Sequence, residues 1–174
     1  MIAVLRLGHR PFRDSRVSTH CALIARAFGA DKLIYSGEHD QKLEDSINKV
    51  TDNWGGPFKI EHTKSALKTI KDFKKKNFKI CHLTVYGLPI QNEIGKIRKY
   101  KNILIIIGGS KVPGEIYQLA DFNIGVTQQP HSEMGSLCIF LDRYFEGKEL
   151  NNKFNGWKMK VIPNENKKII EKKK

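Results

Sequence analysis

The stretch Ile103–Ile107, with the sequence ILIII, is an unbroken apolar run that ends at Gly108 and Gly109. A strand that is apolar on both of its faces is typical of the centre of a parallel sheet, which helices cover on either side. Similar short apolar runs lie before and after it, and helix-like stretches separate them. The sequence therefore predicts an α/β fold, with a mostly parallel sheet and helices on both faces.

Six strands and six helices are expected in alternation. The predicted strands are Ile2–Leu7, Lys32–Tyr35, Phe58–His62, Lys79–Val85, Asn102–Ile107 and Phe122–Val126. The predicted helices are Val17–Phe28, Gln41–Trp54, Ser65–Lys76, Ile90–Tyr100, Gly114–Leu119 and Glu133–Phe145. The last of these helices has its apolar side chains at helical spacing, and Ser132 is placed to cap its first turn.

A chain of 174 residues is long enough for one domain with its own core. The composition changes after Gly147, so residues 1–147 are predicted to form the main domain and residues 148–174 a basic extension. That extension contains nine lysines and three acidic residues. Its apolar piece Lys158–Ile162 predicts a short strand, and the terminal KKIIEKKK is expected to fray.

The chain carries 31 basic and 18 acidic side chains, a net charge of +13, and its arginines are unevenly placed. Five of the seven lie within the first 26 residues, namely Arg6, Arg10, Arg13, Arg16 and Arg26, whereas 24 lysines supply the remaining positive charge. A guanidinium binds phosphate through two parallel hydrogen bonds, which an ammonium group does not reproduce. The pattern favours a nucleic-acid partner, with Arg10, Arg13 and Arg16 on phosphates and Asp14 pinning one arginine. A general lysine bias or a need for solubility is the alternative explanation of the excess charge.

Polar or glycine-containing loops follow three of the predicted strands, where open α/β sheets bind ligands. They are HLTVYG at His82–Gly87, GGSKVPG at Gly108–Gly114 and VTQQPHS at Val126–Ser132. The second loop lacks the GxxxxGK[ST] spacing of a nucleotide triphosphatase, and no GxGxxG motif is present. A nucleotide triphosphatase is therefore excluded, and a standard dinucleotide-binding fold is not expected.

The cysteines and histidines indicate neither a disulfide framework nor a metal site. Cys21, Cys81 and Cys138 show no CxxC pairing, and the six histidines are dispersed without an HExxH motif. No apolar run approaches the roughly 20 residues of a membrane span, and no signal peptide is recognised. A cytoplasmic protein without a metal is predicted.

Five segments, LRLGHRPFRDSR, THCALIARAFGAD, HLTVYG, GGSKVP and QPHSEMGSLCIFLDR, occur in this order over most of residues 1–147. Together they resemble the archaeal tRNA ribose 2′-O-methyltransferases that act on cytidine 56, within the trefoil-knotted SPOUT superfamily. The resemblance implies methyl transfer from S-adenosylmethionine to tRNA without a metal. It also implies a knot at the C-terminal end of the domain and a homodimer in which the partner chain completes the active site.

The resemblance also implies the functional residues. Related ribose methyltransferases have an asparagine followed six residues later by an arginine, and His20 and Arg26 have that spacing here. Arg26 would orient the ribose hydroxyl, and Ser132 is counted with these two as catalytic. The proton would leave through water, His20 or His131. The cofactor would contact Leu83, Thr84, Gly108, Gly109, Ser110, Lys111, Val112, Gly125, Val126, Gln128, Gln129, Pro130, His131 and Ser132.

Two other functions stay open. A knotted enzyme of the same fold can methylate a base nitrogen of tRNA or rRNA instead of a ribose. A non-catalytic, basic RNA-binding domain would explain the charge, but it would leave the GGSKVP and QPHSE loops without a role.

Overall fold

A computed structural model of the chain describes residues 1–109 and 111–173. Strands and helices alternate through most of it. They are β1 (Ile2–His9), α1 (Pro11–Ala27), β2 (Lys32–Gly37), α2 (Gln41–Trp54), β3 (Lys59–Thr63), α3 (Ala66–Lys75), β4 (Lys79–Pro89), α4 (Ile90–Ile97), β5 (Ile103–Ile107), α5 (Gly114–Leu119), β6 (Phe122–Gly125), α6 (Glu133–Phe145), a 3₁₀ helix (Lys148–Asn151), β7 (Met159–Ile162) and β8 (Ile169–Lys172).

The first six strands form one sheet in the order β3-β2-β1-β5-β4-β6 within the described residues, and every pairing in it is parallel. Successive residues of β5 join two different apolar clusters, so each face of the strand has its own core. Helices α1, α2, α4 and α6 contribute to one cluster, and α3 and α5 to the other. The predicted α/β fold is confirmed. The knot that the resemblance implies stays a prediction.

The structure corrects the predicted start of α1. This helix begins at Pro11 rather than Val17, so most of the arginine-rich segment is helical. Proline suits the first position of a helix because its missing N–H is not needed there, and Asp14 places a carboxylate in the positively polarised first turn. Arg13 and Arg16 therefore lie on the first turns of a helix.

The C-terminal segment corrects a second expectation. The final residues were expected to fray, but Ile169–Lys172 pairs antiparallel with Met159–Ile162. The predicted strand at Lys158–Ile162 is confirmed. A backbone bridge between Gly56 and Asn155 joins this segment to the end of α2.

Candidate active site

The carboxyl ends of β1, β4 and β5 and the start of α6 border a cavity of about 850 Å³, here called the large cavity. Eight residues that were predicted to bind the cofactor line it: Leu83, Thr84, Gly108, Gly109, Lys111, Val112, Pro130 and His131. Arg6, Arg13, Asp14, His82, Val85, Tyr86, Ile107, Tyr117, Glu133 and Ser136 complete its wall. The three loops that sequence reasoning selected thus meet at one place.

The remaining predicted cofactor residues lie in these loops but do not line the large cavity as described. Gln128 Nε2 donates to the carbonyl of Gly87 at 3.2 Å, which ties the loop after β6 to the loop of β4. A side chain at Gly87 would meet the backbone of Asn123 and Ile124, so only glycine allows β4 and β6 to approach so closely here. Gly125, Val126, Gln129 and Ser132 are the other members of this set. Ser110 lies outside the described residues.

His82 is fully buried at the wall of the large cavity, and its tautomer follows from its neighbours. The side-chain amide of Asn123 donates to the carbonyl of Tyr117, so its oxygen faces His82 Nδ1, 2.9 Å away. Nδ1 must therefore donate to that oxygen, and Nε2 carries the lone pair of the neutral ring. Burial lowers the pKa of His82, against a smaller opposing effect of the hydrogen bond to Asn123.

Arg13 is the arginine that Asp14 holds. Its Nε and Nη2 donate to the two carboxylate oxygens of Asp14 at 2.6 and 2.8 Å, as the sequence predicted for one arginine of this segment. The hydrogen bond from Arg13 lowers the pKa of Asp14, and the charges of Arg6 and His9 act in the same direction. The guanidinium is still half-exposed, so it is oriented by the carboxylate and open to a ligand.

Arg6 is a buried cation beneath the same wall. It lies in the middle of β1, is 2% exposed, and has its Nη2 3.6 Å from Glu133 Oε1 at the start of α6. Its Nε and Nη1 have no hydrogen-bond partner among the described residues. A charged group is expensive to bury without full pairing, so this arginine indicates a polar site rather than a core contact.

A second cavity of about 660 Å³, here called the neighbouring cavity, adjoins the large one. Arg13, Gly109 and Lys111 line both cavities, and Arg10 lines the neighbouring one. Arg16 is exposed on α1 and lines neither of the two. Of the three predicted RNA-binding arginines, Arg13 therefore lies at the junction of the cavities and Arg10 lines the neighbouring cavity alone.

Arg26 does not line the large cavity of its own chain, and its predicted catalytic role stays a prediction. It lies in the last turn of α1, which leads away from the carboxyl edge of the sheet. Its Nη2 donates to the carbonyl of Gly55, and its guanidinium stacks on the ring of Phe154, 4.6 Å from the centroid. Burial lowers its pKa. These contacts describe a side chain that joins α1 to the C-terminal segment.

The other residues predicted to be catalytic do not lie together in the large cavity either. His20 is exposed on α1 and lines neither cavity. The hydroxyl of Ser132 accepts a hydrogen bond from the N–H of Met134, so it caps α6 as expected. His131 does line the large cavity, where its Nδ1 faces the carbonyl of Ser132 at 3.0 Å and its Nε2 faces Ser136 Oγ at 3.4 Å.

Sequence reasoning counted Arg6 only as a member of the arginine-rich segment, and it gave His82 and Glu133 no role in ligand binding. Arg6 carried a usable signal, since a single charged residue inside the apolar strand IAVLRLGH is an informative exception. His82 and Glu133 belonged to motifs that had been selected, but nothing local in the sequence distinguishes them from a strand residue and a helix-start residue.

The described part of the chain was compared with the requirements of a membrane-spanning helix and of a metal site. None of its helices is long and apolar enough to cross a membrane. Within residues 1–109 and 111–173, no group of three histidine, cysteine, aspartate or glutamate side chains is arranged to hold a metal ion.

Solved structures share this fold at low sequence identity. A TrmH/SpoU tRNA modifying enzyme of A. aeolicus superposes with a TM-score of 0.62 at 17% identity, over 86% of this chain and 77% of its own. An RNA 2′-O ribose methyltransferase gives a TM-score of 0.63 at 12% identity, over 84% of this chain and 56% of its own.

Curated sequences are much more similar. The chain is 49% identical over 173 residues to tRNA (cytidine(56)-2′-O)-methyltransferase of Methanocaldococcus jannaschii, with 98% of this chain and 96% of the relative covered. It is 47% identical over 176 residues to the protein of the same name from Thermococcus kodakarensis, with 98% and 97% covered. Residues 54–171 also match the family described as tRNA ribose 2′-O-methyltransferase, aTrm56. On these grounds the chain belongs to the aTrm56 family of tRNA ribose 2′-O-methyltransferases.

Proposed function

We propose that this chain transfers a methyl group from S-adenosylmethionine to the ribose 2′-hydroxyl of cytidine 56 in tRNA. The observation that carries the proposal is the identity of 47 to 49% to relatives that have this activity in their names, over nearly the full length of both chains. The large cavity lies among the loops that this function requires, at the edge of the sheet where α/β proteins bind ligands.

The residues of the large cavity fit S-adenosylmethionine. Its volume of about 850 Å³ lies within the range for small-molecule sites. Asp14 and Glu133 offer negative charge to an ammonium or sulfonium group. The backbone of Gly108 and its neighbours would hold the remainder. When bound, the cofactor supplies a methyl group on a positively charged sulfur.

Arg13 takes the place that Arg26 held in the sequence-based hypothesis. The ribose oxygen gains the methyl group as the bond between methyl and sulfur breaks, and the hydroxyl proton leaves. A guanidinium stays protonated in proteins, so Arg13 acts by orienting the hydroxyl and its adjacent phosphate and by stabilising negative charge on the oxygen. Asp14 prepares that geometry, because it fixes the guanidinium plane before substrate binds.

His131 is the better of the two histidines as proton acceptor, since it lines the large cavity and His20 does not. Its Nδ1 donates to the carbonyl of Ser132, which leaves the Nε2 lone pair of the neutral ring toward Ser136. A neutral histidine with one nitrogen fixed in this way is suited to accept a proton directly or through water.

The wider assignments belong to the same proposal. Residues 1–147 bind cofactor and catalyse, and residues 148–174 form a basic extension. The described part of this extension contacts Arg26 of α1 through Phe154 and Gly56, after α2, through Asn155. The protein works as a homodimer on tRNA in the cytoplasm. Arg10, Arg13 and Arg16 bind tRNA phosphates.

The test is methyl transfer from labelled S-adenosylmethionine to an unmodified tRNA transcript, with the product mapped by nuclease digestion. A transcript with 2′-deoxycytidine at position 56 is the matched control, because it lacks only the acceptor hydroxyl. We expect 2′-O-methylcytidine at position 56 in the first transcript and no label in the second.

Other outcomes identify the alternatives. Label on a base, present with both transcripts, would assign the chain to the enzymes that methylate base nitrogens. Tight tRNA binding without cofactor binding or methyl transfer would identify the chain as a non-catalytic RNA-binding domain.

A further inference from the structure

The neighbouring cavity opens onto the place where methyl transfer is proposed. It shares Arg13, Gly109 and Lys111 with the large cavity, so a ligand in one cavity lies beside a ligand in the other. Its volume of about 660 Å³ is ample for a single nucleotide. A methyl donor in the large cavity and a nucleotide in the neighbouring one would therefore meet at Arg13.

The charges that line the neighbouring cavity are of both signs. Arg10, Arg13 and Lys111 provide three cations. Among the described residues that line this cavity, Glu38 is the one carboxylate. A phosphate suits the cations, and Glu38 then faces whatever uncharged part of the ligand lies away from them.

The backbone fixes the position of Glu38. Gly37, which has φ +107°, packs its Cα against the backbone of His9, where a side chain would collide with the His9 carbonyl. The N–H of Glu38 donates to that same carbonyl at 2.9 Å. The side chain of Glu38 is exposed beyond this contact. The ends of β1 and β2 thus hold the main chain of Glu38 firmly while its carboxylate remains available.

A carboxylate accepts hydrogen bonds and does not donate them when ionised. The exocyclic amino group of cytosine donates, whereas uracil has a carbonyl oxygen at the same position. A carboxylate beside the base therefore favours cytosine and repels uracil, whose oxygen would face a negative charge without a proton between them.

We propose that the neighbouring cavity holds the target nucleotide, with its phosphate on Arg10, Arg13 and Lys111, and that Glu38 selects cytosine by accepting a hydrogen bond from its amino group. This inference rests on the proposed function, which supplies the tRNA substrate, and it adds the residue that distinguishes the target base.

The test compares two tRNA transcripts that differ only in having cytidine or uridine at position 56. The wild-type chain, Glu38→Gln and Asp72→Asn are each assayed for kcat/KM of methyl transfer and for Kd without cofactor. Glu38→Gln keeps the size of the side chain but adds an amide that donates to uracil. Asp72→Asn removes the same charge from α3, where Asp72 is partly exposed and makes only a long ion pair to Lys75.

We expect the wild type and Asp72→Asn to prefer cytidine. The preference should fall about ten- to a hundred-fold in Glu38→Gln, mainly because transfer to the uridine transcript rises. An unchanged preference in Glu38→Gln would overturn the role of Glu38 while leaving the proposed methyltransferase intact. Failure of the wild type to methylate either transcript would instead overturn the proposed function. A wild type with equal kcat/KM and equal Kd for the two transcripts would overturn base selection by this cavity.

Discussion

At the residue scale, the two arginines Arg13 and Arg26 show how position along one helix decides the role of a side chain. Both lie on α1, thirteen residues apart, which corresponds to about 20 Å along the helix axis. Arg13 is near the start, where β1 delivers the chain to the carboxyl edge of the sheet. Arg26 is in the last turn, where the chain has crossed toward the opposite edge.

Replacing Arg13 by lysine should lower kcat about a hundred-fold or more. Lysine keeps the charge but loses the planar fork that Asp14 orients, and a misdirected cation stabilises the transition state poorly. The measurement is single-turnover methyl transfer to the tRNA transcript. Arg16→Lys at saturating tRNA is the matched control, since it keeps the charge that a phosphate contacts and Arg16 lines neither cavity. Equal rates for the two variants would remove Arg13 from the mechanism.

Replacing Arg26 by methionine should instead reduce stability. The variant loses the hydrogen bond to the Gly55 carbonyl and the stacking on Phe154, and it leaves that carbonyl without its partner. We expect the free energy of unfolding in urea to fall by about 1–3 kcal/mol. The kcat of the folded variant should stay within a few-fold of the wild type. A large loss of kcat with unchanged stability would return Arg26 to the catalytic residues.

His82 should make the stability of the fold depend on pH below neutrality. Its pKa is lower in the folded chain than its ordinary value of 6.5, because it is buried. Below pH 6.5 the unfolded chain therefore binds the proton more readily than the folded chain. Its contribution is fully present above that pH and is lost as the pH falls.

The measurement that isolates His82 is the free energy of unfolding from pH 7.5 to pH 5. The wild type should lose more stability over this range than His82→Asn, by at most about 1.4 kcal/mol per pH unit. The other histidines are common to both proteins and cancel in the difference. Identical pH profiles would mean that His82 titrates alike in the folded and unfolded chains.

At the scale of elements, α1 begins with a basic turn at the junction of the two cavities. Arg10, Arg13 and Arg16 are exposed in this region, and each phosphate that they neutralise releases counterions from the RNA. Affinity should then depend on salt with a slope that reflects the number of such contacts.

Replacing these three arginines by glutamine should flatten the plot of log affinity for tRNA against log salt concentration by about two to three units. The matched control replaces Lys75, Lys99 and Lys101, three exposed lysines near the other end of the sheet. It removes the same charge from the molecule. Equal losses of slope in both variants would show that overall charge, rather than the start of α1, binds the RNA.

The sequence was most informative where neighbouring residues decide an element. The unbroken apolar run of β5 predicted a covered parallel strand, and the bounds of α6 were predicted as the structure has them. The pairing of β8 with β7 was missed, because the lysine-rich β8 shows no strand pattern of its own and is ordered by its hydrogen bonds to β7. The spacing that singled out Arg26 does not report the direction in which the helix leaves the sheet, so the sequence could not predict that Arg26 lies away from the large cavity of its own chain.

At the scale of the whole molecule, the proposed homodimer needs an apolar contact, because two chains of charge +13 repel each other. The structure offers a groove of about 420 Å³ between α4 and α6. Ile139 in this groove is 45% exposed. The apolar side chains that line the groove are Ile90, Ile94, Val126 and Ile139, and the polar ones are Gln91, Arg98 and Arg143. This groove lies beside the loop after β6, so a partner seated there would be close to the large cavity.

Sedimentation equilibrium should give the wild-type protein a mass of twice the 19.9 kDa of one chain. Ile139→Lys should shift the mass toward that of one chain, since the new ammonium group would lie against apolar side chains and beside Arg98 and Arg143. Leu150→Lys is the control, because Leu150 is more exposed, at 68%, and lies outside the groove. A dimer that survives Ile139→Lys would move the interface elsewhere. A monomeric wild type that still methylates tRNA would mean that one chain holds the complete site.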